Sequence, residues 1–226
     1  MGKFLLVVLV ALMLTIPTMG QAASAISSWP GYVYKDGGYS GNLYTPSGWM
    51  GQHSAMGLAV TASSSDTAVS GTSTKISFTS GTSASEWTGV YWLSPDGNWG
   101  SDANGGWNLT GATNMTFWAK GAVGGEKMEF KVGGIAGDFG DTLTGMTQTV
   151  TLAPVWTQYS FDLTGKDLSR VVGGFEFAAN DTDNPTGATF YVDDIKYNNA
   201  VPEPASLLLL GSGLVGLVGL SKKKKA

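Results

Sequence analysis

Met115-Thr116-Phe117-Trp118, within residues 113–120, and Met128-Glu129-Phe130-Lys131-Val132, within residues 126–132, decide the fold. In the first, Met115 and Phe117 oppose Thr116 and Trp118. In the second, Met128, Phe130 and Val132 oppose Glu129 and Lys131. Successive side chains of a strand point to opposite faces, so an apolar row alternating with a polar one marks a half-buried strand. The pattern repeats outward. Ile76 and Phe78 share one face of 75–79, and 86–93 and 147–152 follow the same habit. Tyr159, Phe161 and Leu163 oppose Gln158, Ser160 and Asp162, Phe175 and Phe177 oppose Glu176, and 188–197 closes the series. Roughly eight or nine short strands punctuated by glycine turns predict an all-β, two-sheet antiparallel sandwich spanning 56–199.

Residues 26–55 are rich in aromatics and glycine and predict an ordered N-terminal loop region packed on the domain, and residues 61–74 read as a surface loop. One helical turn is expected within 164–170. The 8 Trp, 8 Tyr and 9 Phe argue against disorder despite 33 Gly, because disordered chains are poor in aromatics. With no cysteine, the fold uses no disulfides and no thiol chemistry.

Both ends read as addresses. Lys3 precedes an apolar run from Phe4 to Ile16, the layout of a signal peptide over 1–25. Ala23-Ser24-Ala25 fits the small-x-small cleavage rule, with Gly20-Gln21-Ala22 as a second possible cut. At the other end, Pro202-Glu203-Pro204 precedes an apolar stretch broken by Gly211, Gly213, Gly216 and Gly219, then Lys222 to Lys225. As a helix, 205–220 rises roughly 24 Å, short of the ~30 Å hydrocarbon core. This order, over 201–226, closely resembles the PEP-CTERM sorting signal of Gram-negative bacteria, with lysines where that family mostly carries arginines. The resemblance implies export and transient inner-membrane contact through the C-terminal helix. It also implies processing by an exosortase-type enzyme, leaving the protein at the cell surface or in the extracellular matrix.

Taking Lys3 and Lys222 to Lys225 from the 13 basic residues leaves eight, and taking Glu203 from the 17 acidic ones leaves sixteen. A net charge near −8 excludes nucleic acid as a partner, since phosphates need a basic footprint.

Internal stretches such as Gly89-Val90-Tyr91-Trp92, Asn98-Trp99-Gly100, Phe117-Trp118-Ala119-Lys120-Gly121, Gly173-Gly174-Phe175 and Phe190-Tyr191-Val192-Asp193-Asp194-Ile195 resemble, in this order, the galactose-binding-like β-jelly rolls that serve as carbohydrate-binding modules. The resemblance covers roughly 47–197. It implies a polysaccharide or cell-surface glycan as partner, with exopolysaccharide or biofilm matrix as the setting. Pyranose C–H faces lie on aromatic planes while charged and amide groups take the hydroxyls. Trp118, Glu129, Lys131, Gln158 and Glu176 supply both kinds, provided that their strands are neighbours, and Trp92 and Trp99 are further candidates. Tyr91 and Trp92 point to opposite faces, so one of them is core. Adjacent aspartates disfavour a strand interior. In jelly rolls of this kind a closing-strand aspartate holds a structural Ca2+, so Asp193 and Asp194 are the metal candidates, the competing reading being a carboxylate bonded to loop amides. Asp138 and Asp141 read as a solvated loop.

No catalytic motif is found. His53 is the sole histidine, and no Gly-x-Ser-x-Gly elbow exists, which removes a Ser-His-Asp reading. The expected function is therefore non-catalytic carbohydrate binding. The alternatives are a jelly-roll glycoside hydrolase or polysaccharide lyase using Glu129 and Glu176, and an extracellular scaffold with no sugar affinity.

Overall fold

The computed structural model describes residues 22–82 and 85–200. The leader through residue 21, the Pro202-Glu203-Pro204 motif and the apolar helix expected from sequence over 205–220 lie outside them. Thirteen strands follow in chain order: β1 (Ser24–Ala25), β2 (Gly31–Tyr34), β3 (Thr45–Gly51), β4 (Ala59–Ser64), β5 (Ser73–Phe78), β6 (Trp87–Leu93), β7 (Trp107–Asn108), β8 (Ala112–Gly121), β9 (Lys127–Val132), β10 (Met146–Thr151), β11 (Thr157–Asp162), β12 (Gly173–Asn180) and β13 (Ala188–Asn199). Among the described residues there is no helix, and 164–170 forms turns and bends.

Two antiparallel sheets carry the architecture. One is ordered β10-β9-β12-β6-β3, and the other β11-β8-β13-β5-β4 with β2 added alongside β13. The chain passes repeatedly from one sheet to the other, so neither sheet can form without its partner. Their inner faces meet through the apolar rows that the sequence displays. Phe117 of β8 lies 4.8 Å from Phe130 and 5.0 Å from Phe175, ring centre to ring centre, and Phe177 lies 5.0 Å from Phe190. Buried tyrosines tie hydroxyls to backbone, Tyr44 to the Val171 carbonyl at 3.1 Å and Tyr197 to the Gly174 carbonyl at 2.8 Å. This is how an aromatic with a polar tip is accommodated inside a core.

The strands expected from period-two patterning are present within a few residues of their predicted limits. The stretch 26–55 departs from expectation. It is not a loop region packed on the domain but part of both sheets through β2 and β3, with Val33, Tyr34 and Tyr44 in the core. The stretch 61–74 likewise gives its ends to β4 and β5. Prolines and glycines hid β3, which bulges between Pro46 and Gly48 against β6, as an edge strand is free to do. At the leader boundary, Ser24 and Ala25 pair in parallel with Trp107 and Asn108, and Ala23 is buried. A cut after Ala22 preserves these contacts, whereas a cut after Ala25 removes them.

Candidate functional site

The outer face of the five-stranded sheet is built by default. Phe175, Phe177 and Ala179 point inward from β12, which leaves Glu176, Ala178 and Asn180 outward. By the same alternation, β9 presents Glu129 and Lys131, and β6 presents Trp87, Gly89 and Tyr91. Register lines these up across the strands. Glu176 stands beside both Lys131 and Tyr91, Ala178 beside both Glu129 and Gly89, and Asn180 beside Trp87. The middle row is therefore low. A Cβ on Gly89 would come within 2.5 Å of the Phe177 carbonyl oxygen, so nothing larger than glycine fits there. The result is a shallow depression beside Trp87, while Tyr91, about 13 Å away at the strand rise, is buried and packs with Leu93, Ile135 and Val172.

At one end the Trp87 ring, 44% exposed, lines a recess of about 190 Å3 with Glu129, Thr149, Asn180 and Asp183. That volume falls below the ~300 Å3 of enclosed ligand pockets and suits one ring of an open chain. The turn behind it is locked. Asn180 donates to Asp183 at 3.0 Å, and Asn184 both accepts from the Lys127 amide at 3.0 Å and donates to its carbonyl at 2.9 Å. At the other end Trp99, also 44% exposed, meets Tyr91 edge-on at 5.8 Å. Asn98 holds the Trp99 loop by accepting from the amides of Gly100, Ser101 and Asp102. A Cβ on Gly48 would touch the Trp99 ring at 3.0 Å, so a glycine again makes the close approach possible.

Between the two ends lies charge. Lys131 Nζ is 3.6 Å from Glu176 Oε2 and 5.3 Å from the centre of the Tyr91 ring. That separation is an ion pair but beyond hydrogen-bond length, and Oε2 has no hydrogen-bond partner among the described residues. Glu176 is 5% exposed, and burial raises its carboxyl above the ordinary range while Lys131 pulls it down. Lys127 Nζ bonds Asp183 at 2.7 Å and holds that carboxyl below its usual value.

The residues proposed from sequence thus divide. Glu129, Lys131 and Glu176 come together on this face, with Trp99 at its rim. Trp118 and Gln158 are cross-strand partners on β8 and β11, on the outer face of the other sheet, so the single paved face expected from sequence does not form. Trp92 is no site residue. It is 0% exposed, packed on Phe175 and Phe177 at 5.3 and 6.4 Å, and Tyr91 is the outward member of that pair. Sequence reasoning missed Trp87, Asn180 and Asp183. The alternation Trp87/Gly89/Tyr91 against Thr88/Val90/Trp92 carried the signal for the first.

Asp193 of the last strand is committed to backbone amides. Asp193 is fully buried. Its Oδ2 accepts from the amides of Val69 at 2.7 Å and Ser70 at 3.3 Å, and its Oδ1 from the amide of Asp194 at 2.8 Å. Calcium needs six to eight oxygens turned toward it, whereas these oxygens are turned toward N–H donors. Among the described residues no three His, Asp or Glu side chains gather as a metal-binding group. Asp193 instead pins the loop between β4 and β5. Asp141, expected in a solvated loop, does a similar job, accepting from the amides of Ile135, Val172 and Gly173.

Burial pushes both Asp141 and Asp193 up to about 6, against the pull of those amides. The folded state therefore holds these protons more tightly than the unfolded chain does. Their contribution to stability is greatest below the ordinary carboxylate range and is lost as pH rises through about 6. The exposed Asp162 and Asp167 and the half-buried Asp183, held low by local hydrogen bonds, act in the opposite sense only below about pH 4. Thermal melts should show Tm falling from about pH 4.5 to about pH 7.5, with no change on adding EDTA. A Tm that climbs with pH across that window, or drops with EDTA, contradicts these assignments.

Residues 200–224 match the family model described as the PEP-CTERM protein-sorting motif. The chain carries a PEP-CTERM sorting signal. That motif indicates export and surface sorting. No curated protein matches the chain. Among solved structures, the chain is similar to a family 11 carbohydrate-binding module from Clostridium thermocellum in complex with a β-1,3-1,4-mixed-linked tetrasaccharide. Identity is 14% and the TM-score 0.44, over 69% of this chain and 86% of that one. It is also similar to the family 30 carbohydrate-binding module of a cellulosomal cellulase of the same organism, at 16% identity and TM-score 0.44 over 76% and 99% of the two chains. A third similarity is to the glycoside hydrolase domain structure of Endo-D from Streptococcus pneumoniae R6. Identity there is 16% and the TM-score 0.43, over 69% of this chain and 22% of that one.

Proposed function

We propose that this PEP-CTERM protein is a non-catalytic glycan-binding protein of the cell surface or extracellular matrix, and that it binds along the outer face of the five-stranded sheet. One observation carries the reading. Trp87 and Trp99, large exposed aromatics, stand on this one face, with Glu129 lining the Trp87 recess and Lys131 paired with the nearly buried Glu176. Aromatic planes take the C–H faces of successive rings, and the carboxylates and lysine take hydroxyls between them. Affinity electrophoresis of the full chain through gels containing neutral polysaccharides tests it. Retardation by at least one, lost in Trp87→Ala, is expected, and free migration through every gel rejects it.

A hydrolase reading has one observation behind it, that Glu129 and Glu176 share this face as diagonal neighbours, as paired glycosidase carboxylates must. Here the Lys131 ion pair ties Glu176 to binding. Reducing-sugar release from a bound polysaccharide, abolished in both Glu129→Gln and Glu176→Gln, decides for the hydrolase.

The tail serves as a temporary address read by an exosortase-type enzyme. A permanent anchor gains nothing from four glycines in 205–220, each costing about 1 kcal/mol of helix propensity. Whole-protein mass from the native host should lack Lys222 to Lys225 in the wild type and retain them in Glu203→Gln. Retention in both leaves a plain anchor.

A further inference from the structure

The two lysines of the groove are already engaged, and one carboxylate is not. Lys127 is held by Asp183 at 2.7 Å, and Lys131 stands against Glu176 at 3.6 Å and over the Tyr91 ring. Glu129 is exposed, lines the same recess as Trp87, and among the described residues takes part in no ion pair. Glu176 is nearly buried, with Oε2 shut from solvent and ion-paired with Lys131, which leaves Glu129 as the carboxylate presented to a ligand.

The groove therefore offers acceptors and negative potential. It has no uncommitted cation for a uronate or sulfate, and the acidic domain around it repels polyanions at longer range. A cation at Trp87 gains twice. It lies against an aromatic face, which attracts cations, and beside the unpaired Glu129 carboxylate.

Resting on the glycan-binding reading, we infer that the groove prefers a polysaccharide bearing free amino groups, a de-N-acetylated hexosamine chain, with one ammonium seated between Trp87 and Glu129. Hydroxyl-only chains bind the same groove more weakly, and acidic ones do not bind.

The test titrates the full chain, at about pH 6 where a sugar amine is protonated, with three oligosaccharides of equal length. These are β-1,4-linked glucosamine, its fully N-acetylated form, and oligogalacturonate. The expected result is roughly tenfold tighter binding of the amine, equivalent to about 1.4 kcal/mol. The advantage should shrink as salt screens the charges. Glu129→Gln should abolish the preference by weakening the amine more than its N-acetylated form, while Trp87→Ala weakens both alike. Equal affinity for the amine and its N-acetylated form, still dependent on Trp87, overturns the inference and leaves the glycan reading standing. Preference for oligogalacturonate also overturns it. Binding of none of the three, together with free migration through every neutral polysaccharide gel, overturns both.

Discussion

Phe117→Ala should destabilise the domain by about 3–5 kcal/mol, the range for truncating a fully buried aromatic. Phe117 is 0% exposed and sits where four rings converge. Phe130 and Phe175 from the facing sheet lie 4.8 and 5.0 Å away, and Tyr159 and Phe161 from the neighbouring strand 5.5 and 6.3 Å. Its removal opens a cavity between the sheets that rigid strands cannot close. At about 2–4 °C per kcal/mol for a domain of this size, Tm should fall by roughly 10 °C. The adjacent residue supplies the control. Trp118 points the other way on β8, so Trp118→Ala should cost under about 1 kcal/mol. Denaturant unfolding of the two variants reads the difference, and equal losses would refute the register of the sandwich.

Trp87→Ala should weaken glycan binding by about 2 kcal/mol or more, near thirtyfold, as the loss of an anchoring tryptophan does. It lies at a strand start, packed on β3 where Gly51 makes room for it, so truncation leaves the core rows intact and Tm should move little. Trp99→Ala should weaken binding as well, by removing the second platform on Tyr91, while Trp118→Ala leaves affinity unchanged. Calorimetry on the three variants with the best-bound polysaccharide separates them. A loss confined to Trp118→Ala would move the site to the opposite sheet.

The sandwich was legible in the sequence wherever a strand has one wet face and one dry one. The rows Met115/Phe117, Met128/Phe130/Val132 and Phe175/Phe177 all point inward. It was illegible in β3, where Pro46 and Gly48 break alternation at an edge, and in β4, whose small polar residues look like loop. The site was half legible for a related reason. Alternation shows that Glu129, Lys131, Glu176, Trp118 and Gln158 are off the core, but each sheet has its own outer face. Which face a residue joins depends on strand order, and that comes from pairings such as β12 with β9 and β11 with β8, far apart in the chain. Trp92 misled because β6 carries large aromatics on both faces, so its alternation does not say which face is the core. Asp193 looked like a metal ligand because amide donors from a distant loop are invisible in sequence.

The most direct test follows the tryptophan indole N–H signals by heteronuclear NMR during a glycan titration, since each of the 8 tryptophans reports its own position. A groove on the five-stranded face predicts that the Trp87 and Trp99 signals shift with ligand and saturate together, while those of Trp92 and Trp118 stay in place. Shifts at Trp118 with Trp87 and Trp99 unmoved would place the glycan on the other sheet and contradict the account.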